Sequence, residues 1–185
     1  PIHLDSKFAL VDENNNYLEI VGKGSIGHDS TTNGVTNSFE FKLKDKDIKS
    51  LRLIPIKYIG EENRILDIYD IDKLPITFEM NEYGKVIIED IQINDSKIIY
   101  TYYTEGFVPY ESGLVFFDEN EKEIGFSCSS SENKNKKTGR ITTTINLEGY
   151  GNDLNLISKI KKVSAYNNTK MRLLYDEAIE INLSN

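Results

Sequence analysis

Apolar residues in this chain recur at every second position far more often than at helical spacing. Ile98, Tyr100 and Tyr102 fall on one face of an extended segment, and Ile99, Thr101 and Tyr103 fall on the other. Leu51 and Leu53 share a face, as do Ile54, Ile56 and Tyr58. Period-two alternation marks half-buried β-strands. The apolar segments are short, and clusters of Gly, Asn, Asp and Ser separate them, which is the pattern of an antiparallel sandwich. Short helical turns are expected at 45–50 and 152–158, where an Asp or Asn stands ready to cap. Pro55 cannot donate a ladder hydrogen bond, so its strand is expected to be an edge or bulged there.

One phrase occurs twice. Leu114-Val115-Phe116-Phe117 runs into Asp118-Glu119-Asn120, and Phe8-Ala9-Leu10-Val11 runs into Asp12-Glu13-Asn14. Each reads as a β-hairpin arm, a polar turn and a return arm. Further landmarks follow in the same order. The first copy continues with a polar loop at 24–37, a strand at 38–43, a charged link and a strand at 51–58. The second continues with a loop at 129–139, a strand at 140–147, a link and a strand at 157–166. Each then shows a Tyr-Asp pair, Tyr69-Asp70 and Tyr175-Asp176, and ends on an alternating strand, 76–80 and 179–183. Ordered self-similarity of this kind signals a duplicated module.

The copies are unequal. Strands at 85–93 and 97–103 precede the second hairpin, and only residues 1–7 precede the first. The expected fold is therefore all-β, with two tandem immunoglobulin-like sandwiches. The first spans 1–81 and lacks its N-terminal strands; the second spans 82–185 and has about seven. An incomplete first domain is expected to expose sheet edges and an apolar inner face, and to self-associate or take a neighbouring chain there.

Composition narrows the functional classes. Apolar residues make up 38% of the 185, with 11 Tyr and 8 Phe, enough for packed cores. The formal charge of −8 disfavours nucleic acid as a partner. Lys134, Lys136, Lys137 and Arg140 are the exception, a basic cluster read as a solvated loop. The single cysteine, Cys128, rules out an intrachain disulfide and a cysteine-based zinc site, and is expected to be buried as a small apolar residue.

Candidate chemistry is sparse, and no enzyme activity and no cofactor are expected. The only histidines, His3 and His28, read as loop decoration. No phosphate-binding glycine motif is present. Asp12-x-Asn14-x-Asn16 resembles half a calcium loop, but Tyr17 stands where that loop needs Gly, so a plain hairpin turn is expected. Asp67, Asp70 and Asp72, near Glu61 and Glu62, are the candidate metal ligands, with a solvated loop as the competing reading. Tyr100, Tyr102, Tyr103 and Tyr110 suit either core packing or an exposed aromatic face for a glycan or peptide.

The strand phrases Phe8-x-Leu10-Val11-Asp12-Glu13, Phe39-Glu40-Phe41 and Leu51-x-Leu53-Ile54-Pro55 resemble one family of Gram-positive proteins. So does 84–91 leading to Ile98-Ile99-Tyr100-Thr101-Tyr102. The family comprises membrane-anchored proteins with tandem domains of unknown function, some described as anti-sigma factors. The resemblance implies an extracytoplasmic region, held to the membrane only through an anchor upstream of it. Its implied role is non-enzymatic sensing of, or contact with, another protein or an envelope component. A cell-surface adhesion or glycan-binding module is the alternative.

Overall fold

A computed structural model of the chain describes residues 8–29, 34–43, 47–94, 96–108, 113–135, 137–147 and 154–183. Thirteen strands are described: β1 (Phe8–Asp12), β2 (Glu19–Asp29), β3 (Gly34–Lys42), β4 (Ser50–Ile65), β5 (Tyr69–Asp70), β6 (Ile76–Asn81), β7 (Gly84–Asn94), β8 (Lys97–Gly106), β9 (Leu114–Phe117), β10 (Cys128–Lys134), β11 (Ile141–Leu147), β12 (Lys162–Leu173) and β13 (Ile179–Asn182). A single helical turn, α1 (Leu154–Ile157), lies in the stretch where one was expected. The fold is all-β, and every strand pairing whose register is described is antiparallel.

The chain divides into two compact units, but not as successive halves. Unit 1 comprises Pro1–Tyr58 and Met171–Asn185; unit 2 comprises Ile59–Lys170. The long strands β4 and β12 each run from one unit into the other. A boundary at 81/82 would cut a hairpin, because β6 and β7 pair in one sheet, Phe78 opposite Val86. The Asn81 side chain accepts a hydrogen bond from the Tyr83 amide at 2.7 Å and closes that turn. Gly106 packs against it with φ of 73°, and a Cβ there would meet the Tyr83 carbonyl oxygen at 2.1 Å. Only glycine fits both the left-handed backbone and the close approach.

Unit 2 is a sandwich-like pair of layers. One is the five-stranded sheet β10-β11-β8-β7-β6. Its inner face follows from alternation: Ile76, Phe78 and Met80 of β6 point inward, as do Ile98, Tyr100 and Tyr102 of β8 and Ile141 and Ile145 of β11. These residues pack with Phe116 of β9 and Val163 and Ala165 of β12, which carries β9 and β5 as neighbours. Ile157 at the end of α1 and Ile160 belong to the same core.

Unit 1 is smaller. β1 and β13 both pair with the first part of β4, and β2 pairs with β3. Its core gathers Leu10, Leu18, Ile48 and Leu51, with Phe41, Leu53 and Leu183 packed against them. Pro55 stands opposite Phe8, the last pair of the β1 ladder, and its carbonyl accepts from the Leu174 amide at 2.9 Å.

Three expectations about local structure change. The stretch 24–37, expected as a loop, lies largely in β2 and β3, and 129–139 contains most of β10. All seven residues of β10 are exposed, and serine and asparagine are tolerated on a strand face that meets water, so polar composition hid that ladder. The return arm after the Asp118 turn is reduced to an isolated bridge between Phe117 and Glu123. The closing strands also align differently: Tyr69 stands opposite Val163 on β12, and Ile179 stands opposite Leu53 on β4. Val163 pairs with Phe116 and Leu53 pairs with Leu10, two positions from their respective Asp turns. Tyr69-Asp70 is thus the counterpart of Ile179-Glu180, not of Tyr175-Asp176. Each closing strand has also changed partner: β5 follows β4 but pairs with β12, and β13 follows β12 but pairs with β4.

Candidate interaction surface

The register equates Tyr69 with Ile179 and Ile71 with Ile181, and the two pairs have different surroundings. In unit 2 the Tyr69 ring meets Phe78 of β6 edge-on, 5.5 Å between centroids, and Ile71 packs against the core. In unit 1 Ile179 is 58% exposed and Ile181 38%, on a strand whose four residues are all exposed. The cause is compositional. Unit 2 has β6, β7 and β8 to cover this position, and unit 1 has no counterpart to them among the described residues. Two exposed isoleucines alternating along one strand make an apolar stripe, a candidate contact surface.

A second surface lies on unit 2. Ser131 and Asn133 of β10 stand opposite Thr144 and Thr142 of β11, and together with Glu132 and Asn135 they line an open groove of about 610 Å³. The Thr142 hydroxyl is 3.1 Å from that of Thr101 on β8. Beside them Arg140 spans Glu89 with two hydrogen bonds, 2.5 and 2.6 Å, and holds its guanidinium 5.4 Å from the centre of the Tyr103 ring. That hydrogen bonding holds the Glu89 carboxyl below the usual carboxylate range. Hydroxyls and amides on a pleated face suit hydrogen bonding to a polar chain, and among the described residues no aromatic ring lines the groove to stack on a sugar.

The remaining predicted residues are dispersed. Asp70 pairs with Lys73 at 2.7 Å, and this contact lowers the Asp70 pKa; Asp67 and Asp72 are exposed. Among the described residues no group of three acidic, histidine or cysteine side chains is placed to hold a metal ion. The Glu61, Glu62 and His28 side chains, and all of His3 and Tyr110, lie outside the described residues. The Asp12 carboxylate is occupied by its own turn, accepting from the amides of Asn14 and Asn16 at 2.9 and 2.8 Å. Cys128 is exposed rather than buried, because it begins β10 at the edge of its sheet. Tyr100 and Tyr102 stack in the core at 5.8 Å, while Tyr103 faces outward beneath Arg140. Of the basic cluster, Arg140 is committed to Glu89 and Lys137 is exposed.

Alternation alone revealed the inner faces of β6 and β8. It could not reveal the β13 stripe, which depends on what covers an otherwise ordinary strand. No protein-family model, no curated protein and no solved structure matches this chain.

Proposed function

We propose that this chain is a non-enzymatic, extracytoplasmic interaction region of a membrane-anchored protein, the sensing part of a regulator of the anti-sigma type. The observation that carries the reading is the apolar stripe of Ile179 and Ile181, uncovered where Tyr69 and Ile71 of the related unit are packed. A stripe of this kind suits a protein partner. The acidic charge of −8 favours a partner other than nucleic acid. No helix of the described residues is long and apolar enough to cross a membrane, so the anchor belongs to another part of the protein on this reading. We also read the two units as related immunoglobulin-like domains. The two layers of unit 2 support that reading.

The test uses the full-length protein in a Gram-positive host. A photo-crosslinking amino acid at position 181 is expected to give a defined protein adduct on intact cells, lost when Ile179→Asp is added. The same group at Glu177 is expected to give none. External protease is expected to remove this region from intact cells. A region protected from protease, or equal labelling from both positions, overturns the proposal.

The polar groove lined by Ser131, Asn133, Thr142 and Thr144 favours a second reading, a glycan-binding or adhesion module. Saturable binding of cell-wall polysaccharide that Asn133→Ala and Thr142→Ala abolish would replace the first.

A further inference from the structure

The two strands that flank the first part of β4 are held differently. β1 buries Ala9, Leu10 and Val11, whereas all four residues of β13 are exposed. Backbone pairing fastens β13: Ile179 stands opposite Leu53 and Ile181 opposite Leu51. Just past the strand, the Leu183 amide donates to the Lys49 carbonyl at 2.8 Å, and the Leu183 side chain packs against the unit 1 core. The turn that leads into β13, Tyr175–Glu177, is exposed throughout. A short ladder with its side chains in water is the kind of segment that opens locally while the rest of a domain stays folded.

We infer that β13 is an exchangeable strand: it leaves β4 together with Leu183, and the same segment of a second copy of this chain fills the place it vacates. The vacated place specifies its occupant. Lys49, Leu51 and Leu53 present backbone groups at alternate positions, which an extended segment satisfies. Leu10, Leu18, Ile48 and Leu51 call for an apolar side chain where Leu183 packed. Residues 179–183 of a second copy meet both demands by identity, so reciprocal exchange restores the same contacts in both chains. Opening loses little. Straightening the turn gives up no buried side chain, and the Tyr175 hydroxyl, 2.7 Å from that of Tyr17, passes to water. The stretch Leu174 to Ala178 then spans about 17 Å as an extended connection, against a strand spacing of about 5 Å. The exchange leaves Ile179 and Ile181 exposed on the same strand, so it goes beyond the interaction reading and is tested apart from it.

The first measurement uses the chain without substitutions. Hydrogen exchange is expected to run at least tenfold faster at the Ile179 and Ile181 amides than at those of Ala9 and Val11 on the other side of β4. The second uses the intact chain with Cys128→Ser, which removes the native thiol, and with Ser50→Cys and Asn182→Cys, which stand opposite one another across the ladder. Isotopically labelled and unlabelled protein are mixed, held reduced at high concentration a few degrees below the melting temperature, and then oxidised. The expected product is a dimer whose disulfide joins position 50 of one chain to position 182 of the other, read as mixed-isotope peptides by mass spectrometry. Protein oxidised beforehand while dilute closes the same disulfide within one chain, and is expected to give at least tenfold less dimer under the same treatment.

If the internally closed chain dimerises as readily as the open one, two copies meet through a surface without exchanging strands. This inference then falls and the interaction reading stands. A chain that stays monomeric throughout, or a dimer whose disulfides all lie within single chains, overturns it as well. So do Ile179 and Ile181 amides that exchange no faster than those of Ala9 and Val11.

Discussion

Asp12 and Asp118 close the same turn with the same atom. Oδ1 of Asp12 accepts from the amides two and four residues on at 2.9 and 2.8 Å; Oδ1 of Asp118 does so at 2.8 and 2.9 Å. In each turn the third residue after the aspartate has a left-handed backbone, Asn15 at φ of 64° and Glu121 at 62°. Each of those residues also meets the cation at one register position of the neighbouring long strand: Asn15 accepts from Arg52, and Glu121 pairs with Lys162. Arg52 stands opposite Val11 and Lys162 opposite Phe117, the residues just before the two aspartates. Backbone, carboxylate and partner cation all repeat, which is more than similar strand composition would yield.

Replacing either aspartate by alanine removes the acceptor from two amides. Asp12 is 3% exposed, so the amides it leaves behind are less able to recruit water. Asp12→Ala is expected to cost about 2 kcal/mol and Asp118→Ala about 1 kcal/mol. Asp12→Asn keeps the accepting oxygen and is expected to recover most of the loss. Chemical denaturation of the three variants measures these differences.

Gly106 tests the close seam between the β6–β7 turn and the end of β8. Alanine there combines a left-handed backbone with a Cβ 2.1 Å from a carbonyl oxygen that cannot rotate away. Gly106→Ala is expected to destabilise by about 2 kcal/mol or more. Gly113 has open space around it, and Gly113→Ala is expected to change stability by no more than about 0.5 kcal/mol.

The comparison of the covered and uncovered faces has its own stability signature. Phe78 is buried against Tyr69, and Phe78→Ala is expected to cost about 3–5 kcal/mol. Ile179 occupies the counterpart of the Tyr69 position with most of its surface in water. Ile179→Ala in the isolated chain is expected to cost less than about 0.5 kcal/mol. A cost near 2 kcal/mol for Ile179→Ala would mean that something covers the strand in solution.

Much of this organisation was legible in the residues. Ile76-x-Phe78-x-Met80 and Ile98-x-Tyr100-x-Tyr102 announced their inner faces, because strand geometry alone assigns alternate side chains to opposite sides. The doubled Asp-x-Asn phrase announced two turns of the same geometry. What stayed hidden has a common cause. A sequence shows which residues favour a strand, and partner choice is a long-range property. Nothing local distinguishes Ile179-Glu180-Ile181 pairing with β4 from the same strand pairing with β12. The polar strand β10 was hidden because a solvated face lets serine and asparagine replace the expected alternation. The candidate surface became visible only when the exchanged strands fixed the register and set Ile179 beside Tyr69 for comparison.

The Glu89–Arg140 pair makes a pH-dependent contact on the outer face of unit 2. Hydrogen bonding from the guanidinium lowers the Glu89 pKa in the folded chain relative to its unfolded value. A depressed carboxylate contributes stability that is present above its unfolded pKa and is lost as pH falls through the folded one. Arg140 remains protonated throughout, so the carboxylate alone switches. Titration of the side-chain carboxyl by carbon-13 NMR is expected to give Glu89 a midpoint below the usual carboxylate range. Arg140→Ala should return it to that range, and the Tyr103 ring resonances should move in step with Glu89 because the guanidinium lies over that ring. Both groups are partly exposed, Arg140 to 45% and Glu89 to 29%, so high salt should reduce the displacement. An unchanged Glu89 midpoint in the Arg140→Ala protein would show that the contact does not persist in solution, and Tyr103 would then be open to stack on a ligand beside the polar groove.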